Sequence, residues 1–419
     1  MVVIYISKVK KPALTEQGRK QIEWAEMQMG ALLEVKKRFS KEKPLKGYHI
    51  GMCLHITKET AVLVRTLAAG GATVAITGCN PLSTQDDVAA ALAAEGYAVF
   101  GWKGETNEEY YANLNAVLDT KPQITIDDGC DLVTMIHTKR ADLLKSVIGG
   151  AEETTTGIIR LKAMEKDGAL KCPMIAVNES KTKHLFDNFY GTSQSTLDGI
   201  LRATNILLAG KIFVVCGYGD CGRGLAMRAK GMGSNVIVTE VDPVRALQAL
   251  MDGYRVMPLK EAIPIGDIFV TVTGNKHVIR VDDMKKMKDG VILANAGHFN
   301  VEIDVGGLEK LSQRKNIRPG MDEYALAGKK IFVLGEGRLV NLAVAEGHPS
   351  TVMAMSFCNQ ALAVEYLIKN KGKLKPGVHL LPEETDREIA KMQLDALGVK
   401  IDSLTPEQKK YLESWDEGT

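Results

Sequence analysis

The stretch KIFVVCGYGDCGRG, residues 211–224, decides how the chain is read. Its apolar start, KIFVV, predicts a buried parallel strand. Gly217, Gly219 and Gly222 follow at GxGxxG spacing and open a helical pattern. Glycine at these positions lets the backbone turn tightly and lets a pyrophosphate approach the positive end of the helix. The next apolar run, NVIVTE, ends in Glu240. A carboxylate at that strand end accepts hydrogen bonds from a ribose diol and repels a 2′-phosphate, which favours NAD over NADP. A glycine turn of purely structural use is the competing reading; the strand–loop–helix context and the acid weigh against it. Arg223 and Arg245 read as cations on solvated helix faces.

Outward from this loop the same alternation continues. YRVMP, DIFVTV, VILAN and KIFVLG follow as strands with helices between them. Before it, from about residue 46, GYHIGMCLHI, ATVAIT, YAVFGW, QITI and PMIAV read as strands of a second parallel sheet. TKETAVLVRTLAAGG, TQDDVAAALAAEG and NEEYYANLNAVL carry apolar residues at helical spacing between those strands. Two such series predict an α/β fold of two doubly wound parallel-sheet, Rossmann-like domains. SQSTLDGILRATNILLAGK reads as a connecting helix, and PSTVMAMSFCNQALAVEYLIKN as a long buried one. Charged helices complete a helical C-terminal extension.

Composition narrows the function. Of 419 residues, 45% are apolar and 25% charged, an ordinary globular balance. The 53 basic and 51 acidic residues leave a net charge of +2, no footprint for nucleic acid or an anionic membrane. The start, MVVIYISKVKKPALTEQ, lacks a small-residue cleavage site, so no signal peptide is expected. No apolar run approaches the ~18 residues of a membrane span. The seven cysteines form no CxxC pair and read as buried thiols in a reducing cytoplasm. No metal set is evident.

In open parallel sheets ligands bind beyond the carboxyl ends of the strands. The predicted ends of the first series carry His55, Asn80, Asp127, Asp128, Asn178 and Glu179. So many polar strand ends point to a binding cleft. In CLHITKET, Thr57 and Glu59 suit a helix cap as well as a site. Adjacent strand residues face opposite ways, so only one of Asp127 and Asp128 is expected in the cleft. EETTTG, with Glu153, Thr154, Thr155 and Thr156, suits a helix start or a polar cradle. NESKTKHLFDNFYG holds Lys183, Asp187 and Asn188; a Lys with an Asp four residues on is also a common surface pair. In the second series NAGHFNVEID places Ala296, Gly297 and His298 after a strand, and GEGRLVNLAVAEGHPS adds Asn341 and His348. The residues alone reach an NAD site facing a cleft with an amine, acids and histidines. That set suits proton abstraction beside a carbon being oxidised.

LHITKETA, NPLSTQDD, IDDGCDL, EETTTG, KHLFDNFYG, GYGDCGRG, NAGHFNVEID, EGRLVNLA and GHPS occur in this order along the chain. In that order they resemble the S-adenosylhomocysteine hydrolase family over essentially the whole length. The resemblance implies a bound NAD that oxidises the 3′-hydroxyl of S-adenosylhomocysteine. The C4′ hydrogen then becomes acidic, homocysteine leaves C5′, water adds, and re-reduction yields adenosine. It implies catalytic roles for His55, Asp128, Lys183, Asp187, Asn188 and His298, with Lys183 taking the hydroxyl proton and Asp128 acting at C4′. Thr57, Glu59 and His348 would line the adenine pocket, and Glu153 and Asp187 would grip the ribose. Thr154, Thr155, Thr156, Asn188, Gly217, Gly219, Asp220, Cys221, Gly222, Arg223, Gly224, Glu240, Arg245, Ala296, Gly297, His298, Asn341 and His348 would contact NAD. Residues 1–190 with 349–381 would hold the nucleoside, residues 191–348 NAD, and residues 382–419 would join subunits of a homotetramer.

The chain also departs from the family. Arg245 stands where many members have Asn on the cofactor ribose, and Glu346 replaces an apolar residue before GHPS. It ends at LESWDEGT, without the Lys- and Tyr-bearing tail that eukaryotic members insert into a partner's NAD site, so a different cofactor retention is expected. Some relatives carry Glu and Lys in place of Thr57 and Glu59, a pocket suited to hypoxanthine and hence to S-inosylhomocysteine. An NAD-dependent hydroxyacid dehydrogenase shares the two facing domains but calls for an Arg–Glu–His set that is not evident here. A regulatory NAD binder without turnover is opposed by the presence of His55, Asp128, Lys183 and His298.

Overall fold

The computed structural model describes residues 6–415. The leader reading rests partly on residues 1–5, and the extension partly on residues 416–419, both outside the described residues.

The first sheet begins with β1 (His49–Cys53), β2 (Thr73–Thr77), β3 (Ala98–Phe100), β4 (Ile124–Asp127), β5 (Gly149–Glu152) and β6 (Pro173–Ala176). The second holds β7 (Ile212–Cys216), β8 (Asn235–Thr239), β9 (Arg255–Val256), β10 (Ile268–Thr271), β11 (Val291–Asn295), β12 (Lys315–Arg318), β13 (Met321–Leu326) and β14 (Lys329–Leu334). The chain then returns to the first sheet with β15 (Gly377–His379). The first sheet runs β15-β6-β5-β4-β1-β2-β3 and the second β12-β13-β14-β11-β10-β7-β8-β9. Every pairing is parallel except those of β13 with β12 and β14.

Both sheets are covered on both faces. Along β1, Met52 joins one apolar cluster and Cys53 another; along β7, Val215 and Cys216 divide the same way. This is the two-sided burial that continuous apolar runs announce. The doubly wound reading therefore holds. In each sheet the strand order reverses beside one central strand: between β1 and β4 in the first, between β7 and β10 in the second. Those are the points where a crevice opens beyond the strand ends.

Four strands escaped the pattern. β5 is GGAE, with no apolar run to mark it; a side chain at Gly149 would meet Leu367 and the Pro173 carbonyl oxygen, each at 2.7 Å. β12 is an exposed edge, and β13 alternates in burial as an antiparallel strand does. The short edge strand β15 also went unmarked.

The expectation about membrane-length apolar runs needs correction. Helix Ser350–Lys369 reaches the length and hydropathy of a span, with a window mean of 1.2. It lies instead in the first sheet's core, where Ala354, Phe357, Ala361, Val364 and Leu367 are buried. Beyond it, helix Glu383–Ala396 buries Ile389 and Gln393, whereas helix Pro406–Glu413 buries nothing.

Candidate functional site

A cavity of about 980 Å³ opens between the two crevices, lined from both sheets. On the first side, β1 delivers His55 and β4 delivers Asp128. Asp127 turns inward, fully buried, and accepts the Val133 amide at 3.0 Å; Asp128 faces the cavity. The strand argument separated the two correctly. His55 Nε2 lies 3.3 Å from Asp128 Oδ2, and its Nδ1 lies 2.7 Å from the Ser83 hydroxyl. From the second sheet, His298 follows β11 and sets Nδ1 3.5 Å from Asp128 Oδ1. Its ring crosses Gly129 so closely that a β-carbon there would collide with Nε2, and Gly129 has φ +110°. Only glycine fits that crossing.

Burial lowers the His55 imidazole to about 4, against the pull of Asp128 in the other direction. It is neutral at physiological pH. Behind Asp128, burial and then Asp131 push the Asp127 carboxyl up to about 7. Glu152, its register partner on β5, is raised as well, by burial and then by Asp127.

The second cluster sits on a π-helical turn, His184–Gly191. An i→i+5 turn brings the residue five places on above its starting point, and such turns gather at functional sites. Lys183 Nζ accordingly reaches both Asp187 Oδ1, at 3.2 Å, and Asn188 Oδ1, at 2.9 Å. Asn178 Oδ1 adds a third acceptor at 3.1 Å, and Glu153 Oε1 lies 3.7 Å away. The surface-pair reading fails, because Lys183 and Asp187 are each only 4% exposed. Burial is the largest effect on the Lys183 ammonium and opposes its charge, but Asp187, Glu153 and Asp128 together raise it. For Asp187, Lys183 and His348 outweigh burial and keep it ionised. Burial raises Glu153 to about 8 despite Lys183. His348 Nδ1 lies 3.2 Å from Asp187, and Ser356 donates to the other Asp187 oxygen at 2.8 Å.

Thr57 and Glu59 serve both of their readings. Thr57 accepts the Thr60 amide at the start of helix Lys58–Ala69, and both residues line the cavity. Thr154 likewise precedes helix Thr155–Lys166, and Thr154, Thr155 and Thr156 line the wall.

On the second side the loop after β7 has room for a dinucleotide's phosphates. Gly217 has φ +110°, and a β-carbon on Gly219 would meet only the Arg245 guanidinium, at 3.5 Å. Gly219, Asp220 and Cys221 open helix Asp220–Gly231 toward the cavity. Glu240 at the end of β8 accepts the Tyr218 amide at 2.7 Å, tying the acid to the loop. Ala296, Gly297, Asn188, Asn341 and His348 line the same wall. The buried Asn341 Oδ1 has no protein partner and so remains an acceptor for a ligand. These residues fit NAD.

Three expected contacts do not reach this wall. Gly222 serves packing, since a β-carbon would strike the Gly217 carbonyl oxygen. Gly224 lets the helix pass the backbone of Phe189. Arg223 points to Asp252 at 3.5 Å. Arg245 corrects its reading in the opposite sense: it is exposed, but its guanidinium crosses the glycine loop at the cavity rim.

With a dinucleotide cradle and a buried amine–carboxylate cluster on one cavity, comparison with known proteins becomes informative. The model for S-adenosyl-L-homocysteine hydrolase matches residues 6–143, and that for the NAD binding domain of the same enzyme matches residues 188–347. The chain belongs to the S-adenosyl-L-homocysteine hydrolase family. An adenosylhomocysteinase of Saccharolobus solfataricus is 61% identical over 98% of this chain and 99% of its own. One of Aquifex aeolicus is 58% identical over 98% and 99%. An S-inosyl-L-homocysteine hydrolase of Methanocaldococcus jannaschii is 62% identical over 97% and 98%. The family is one of hydrolases, and its cofactor is NAD.

Sequence reasoning missed the partners that fix the family's site residues. Ser83 holds His55, Ser350 donates to Glu59 Oε1 at 2.6 Å, and Gln360 donates to Glu153 Oε2. The last two come from helix Ser350–Lys369, some two hundred residues or more from what they hold, so no local spacing could reveal them.

Proposed function

We propose that this chain catalyses the reversible hydrolysis of S-adenosyl-L-homocysteine to adenosine and L-homocysteine, with NAD held throughout. The observation that carries this is the amine of Lys183, buried among Asp187, Asn188, Asn178 and Glu153, opposite the His55–Asp128–His298 group on one cavity. A dehydrogenase needs one acid–base pole beside its nicotinamide; here there are two.

When bound, NAD supplies the hydride acceptor and later the donor at C3′. Asp187 and Glu153 bind the ribose hydroxyls, and Asn188 and Asn178 orient Lys183. Lys183 accepts the 3′-hydroxyl proton. It rests as an ammonium and must therefore first release a proton, which protonation of Glu153 near pH 8 assists by removing one of its negative partners. With a ketone at C3′, the C4′ hydrogen is acidified and Asp128 takes it as a base. The C5′–S bond then breaks, and the neutral His55, its Nε2 3.3 Å from Asp128, relays the proton taken from C4′ to the departing thiolate. The same imidazole takes a proton from the water that adds at C5′. That proton passes through Asp128 to C4′, and return of the Lys183 proton to the 3′-oxygen completes the cycle.

Residues 1–190 with 349–381 are the nucleoside domain in this reading, and residues 191–348 the NAD domain. Residues 382–419 join subunits in a cytoplasmic homotetramer: Leu397, Ile401, Leu412 and Trp415 are all more than half exposed and await cover.

Glu59 directs the enzyme to adenine. A carboxylate accepts from the 6-amino group and repels the 6-oxo oxygen of hypoxanthine, and a polar pocket group left unpaired rejects a ligand strongly. Ser350 occupies Glu59 Oε1, leaving Oε2 for the base. The test incubates purified protein with S-adenosylhomocysteine and with S-inosylhomocysteine, following free thiol and any NADH in the filtrate. Thiol release without free NADH, at higher kcat/KM for the adenosyl substrate, is expected. Stoichiometric NADH would make it a dehydrogenase; equal kcat/KM would remove Glu59 from base recognition.

A further inference from the structure

The adenosyl and inosyl enzymes are 61% and 62% identical to this chain, so overall likeness does not decide the base. Local charge must decide it, and one charge beside Glu59 has no part in the mechanism above. Lys58 is 7% exposed and does not line the cavity. Its Nζ lies 3.5 Å from Glu59 Oε1 and 3.0 Å from Glu346 Oε2. The nearer carboxylate is thus not the one in the cavity. Glu346 comes from the segment between the NAD sheet and helix Ser350–Lys369, and its carboxylate is held on both oxygens. Arg202 binds Oε1 at 2.9 Å and is itself held by Asp198 at 2.9 Å. A second tie joins the same two places: Gln85 accepts the Lys58 amide at 3.0 Å and donates to the Glu346 carbonyl at 3.2 Å.

We propose that Glu346 is a specificity-determining residue, which shares the Lys58 ammonium with Glu59 Oε1 and holds it the closer, and so leaves Glu59 Oε2 free to accept from a 6-aminopurine. The proposal rests on the adenine reading of Glu59. Without Glu346, the nearest negative partner of Lys58 becomes Glu59. A buried ammonium is not left unpaired while a carboxylate stands within reach. Lys58 then takes up the acceptor capacity of Glu59 and cancels its negative potential. Amino and oxo groups at C6 become nearly equivalent. Glu346 touches neither substrate nor the reacting carbons, so it is a positioning residue. Its loss should appear in the ratio of kcat/KM between the two bases rather than in kcat.

The test is a cycle of Glu346→Gln, Lys58→Met and the double variant, each as the NAD-loaded enzyme. Glu346 is half exposed and Gln keeps its shape, so folding is retained. The adenosyl/inosyl ratio of kcat/KM is expected to fall about tenfold in Glu346→Gln, the order of one charge-assisted hydrogen bond. It should return to near native in the double variant, because without Lys58 nothing competes for Glu59. The relative affinity for adenine and hypoxanthine, by calorimetry, should move in parallel. An unchanged ratio in Glu346→Gln overturns the proposal, as does a double variant no better than Glu346→Gln. A native ratio near one refutes instead the adenine reading on which it stands, and the two failures are told apart by the native enzyme alone.

Discussion

The two crevices of this molecule solve the same topological problem by opposite means. Beyond β7 the chain offers backbone: Gly217 and Gly219 clear a space, a helix start faces it, and Glu240 ends the next strand. Beyond β1 and β4 it offers side chains: His55 and Asp128, joined by His298 from the other sheet and backed by Lys183 on a π-turn. The backbone crevice suits a ligand held by main-chain geometry. The side-chain crevice has buried groups driven in opposite directions, with Asp187 lowered and Glu153 raised to about 8. The first suits retention of a cofactor, and the second has the groups that the proposed proton transfers need.

The largest break in this contrast comes from Lys183→Met. Without an amine, the 3′-hydroxyl keeps its proton, so reduction of bound NAD on adding adenosine should fall by at least ~10³-fold, the upper part of the range for a lost acid–base group. The absorbance of bound NADH checks this. Asp128→Asn should spare that step and suppress exchange of the C4′ hydrogen with solvent. Unimpaired exchange would remove Asp128 from the role of base.

The backbone crevice is broken at a position that does not line the cavity. A β-carbon at Gly222 would strike the Gly217 carbonyl oxygen and push the phosphate turn out of line. Gly222→Ala should therefore weaken NAD retention, by roughly a hundredfold on the scale of losing 2–3 kcal/mol. The protein should remain folded and able to bind adenosine, as dialysis and calorimetry would show. Normal NAD content would mean that the turn tolerates the shift.

The same contrast explains what the sequence disclosed. The glycine loop was legible because its parts are local: a strand, three glycines and an acid within thirty residues. The alternation of apolar runs gave both sheets for the same reason, and it lost β5, whose GGAE carries no apolar signal. His55, Asp128 and Lys183 could be named as strand-end or motif residues, but not as a constellation. His298 reaches Asp128 across 170 positions, and Gln360 reaches Glu153 across 207. Lys183 with Asp187 looked like a surface pair because α-helical spacing was assumed; the π-turn and the burial are tertiary facts. Arg223 and Arg245 were alike on paper, and only the fold turned one to Asp252 and the other over the glycine loop.

The smallest expected effect sharpens the contrast inside one dipeptide. Asp127 and Asp128 are neighbours, yet only Asp128 faces the cavity, while burial and then Asp131 raise Asp127 to about 7. The folded protein therefore keeps a proton there that the unfolded chain releases near pH 4. The stability linked to that proton is present below pH 4 and is lost as pH rises through 7. Asp127→Asn mimics the protonated form at every pH. Its carbonyl can still accept the Val133 amide, and its amide can donate toward Glu152, which pairs with Asp127 in register and has a buried oxygen without a partner. The variant should melt close to the native protein at pH 5 and roughly 2–5 °C above it at pH 8. Bound NAD should still be reduced by adenosine, since no group in the cavity has changed. A melting difference that stays flat from pH 5 to 8 would place the Asp127 proton elsewhere. Loss of C4′ exchange in Asp127→Asn, with Asp128 intact, would show that the inner acid shares the base's work.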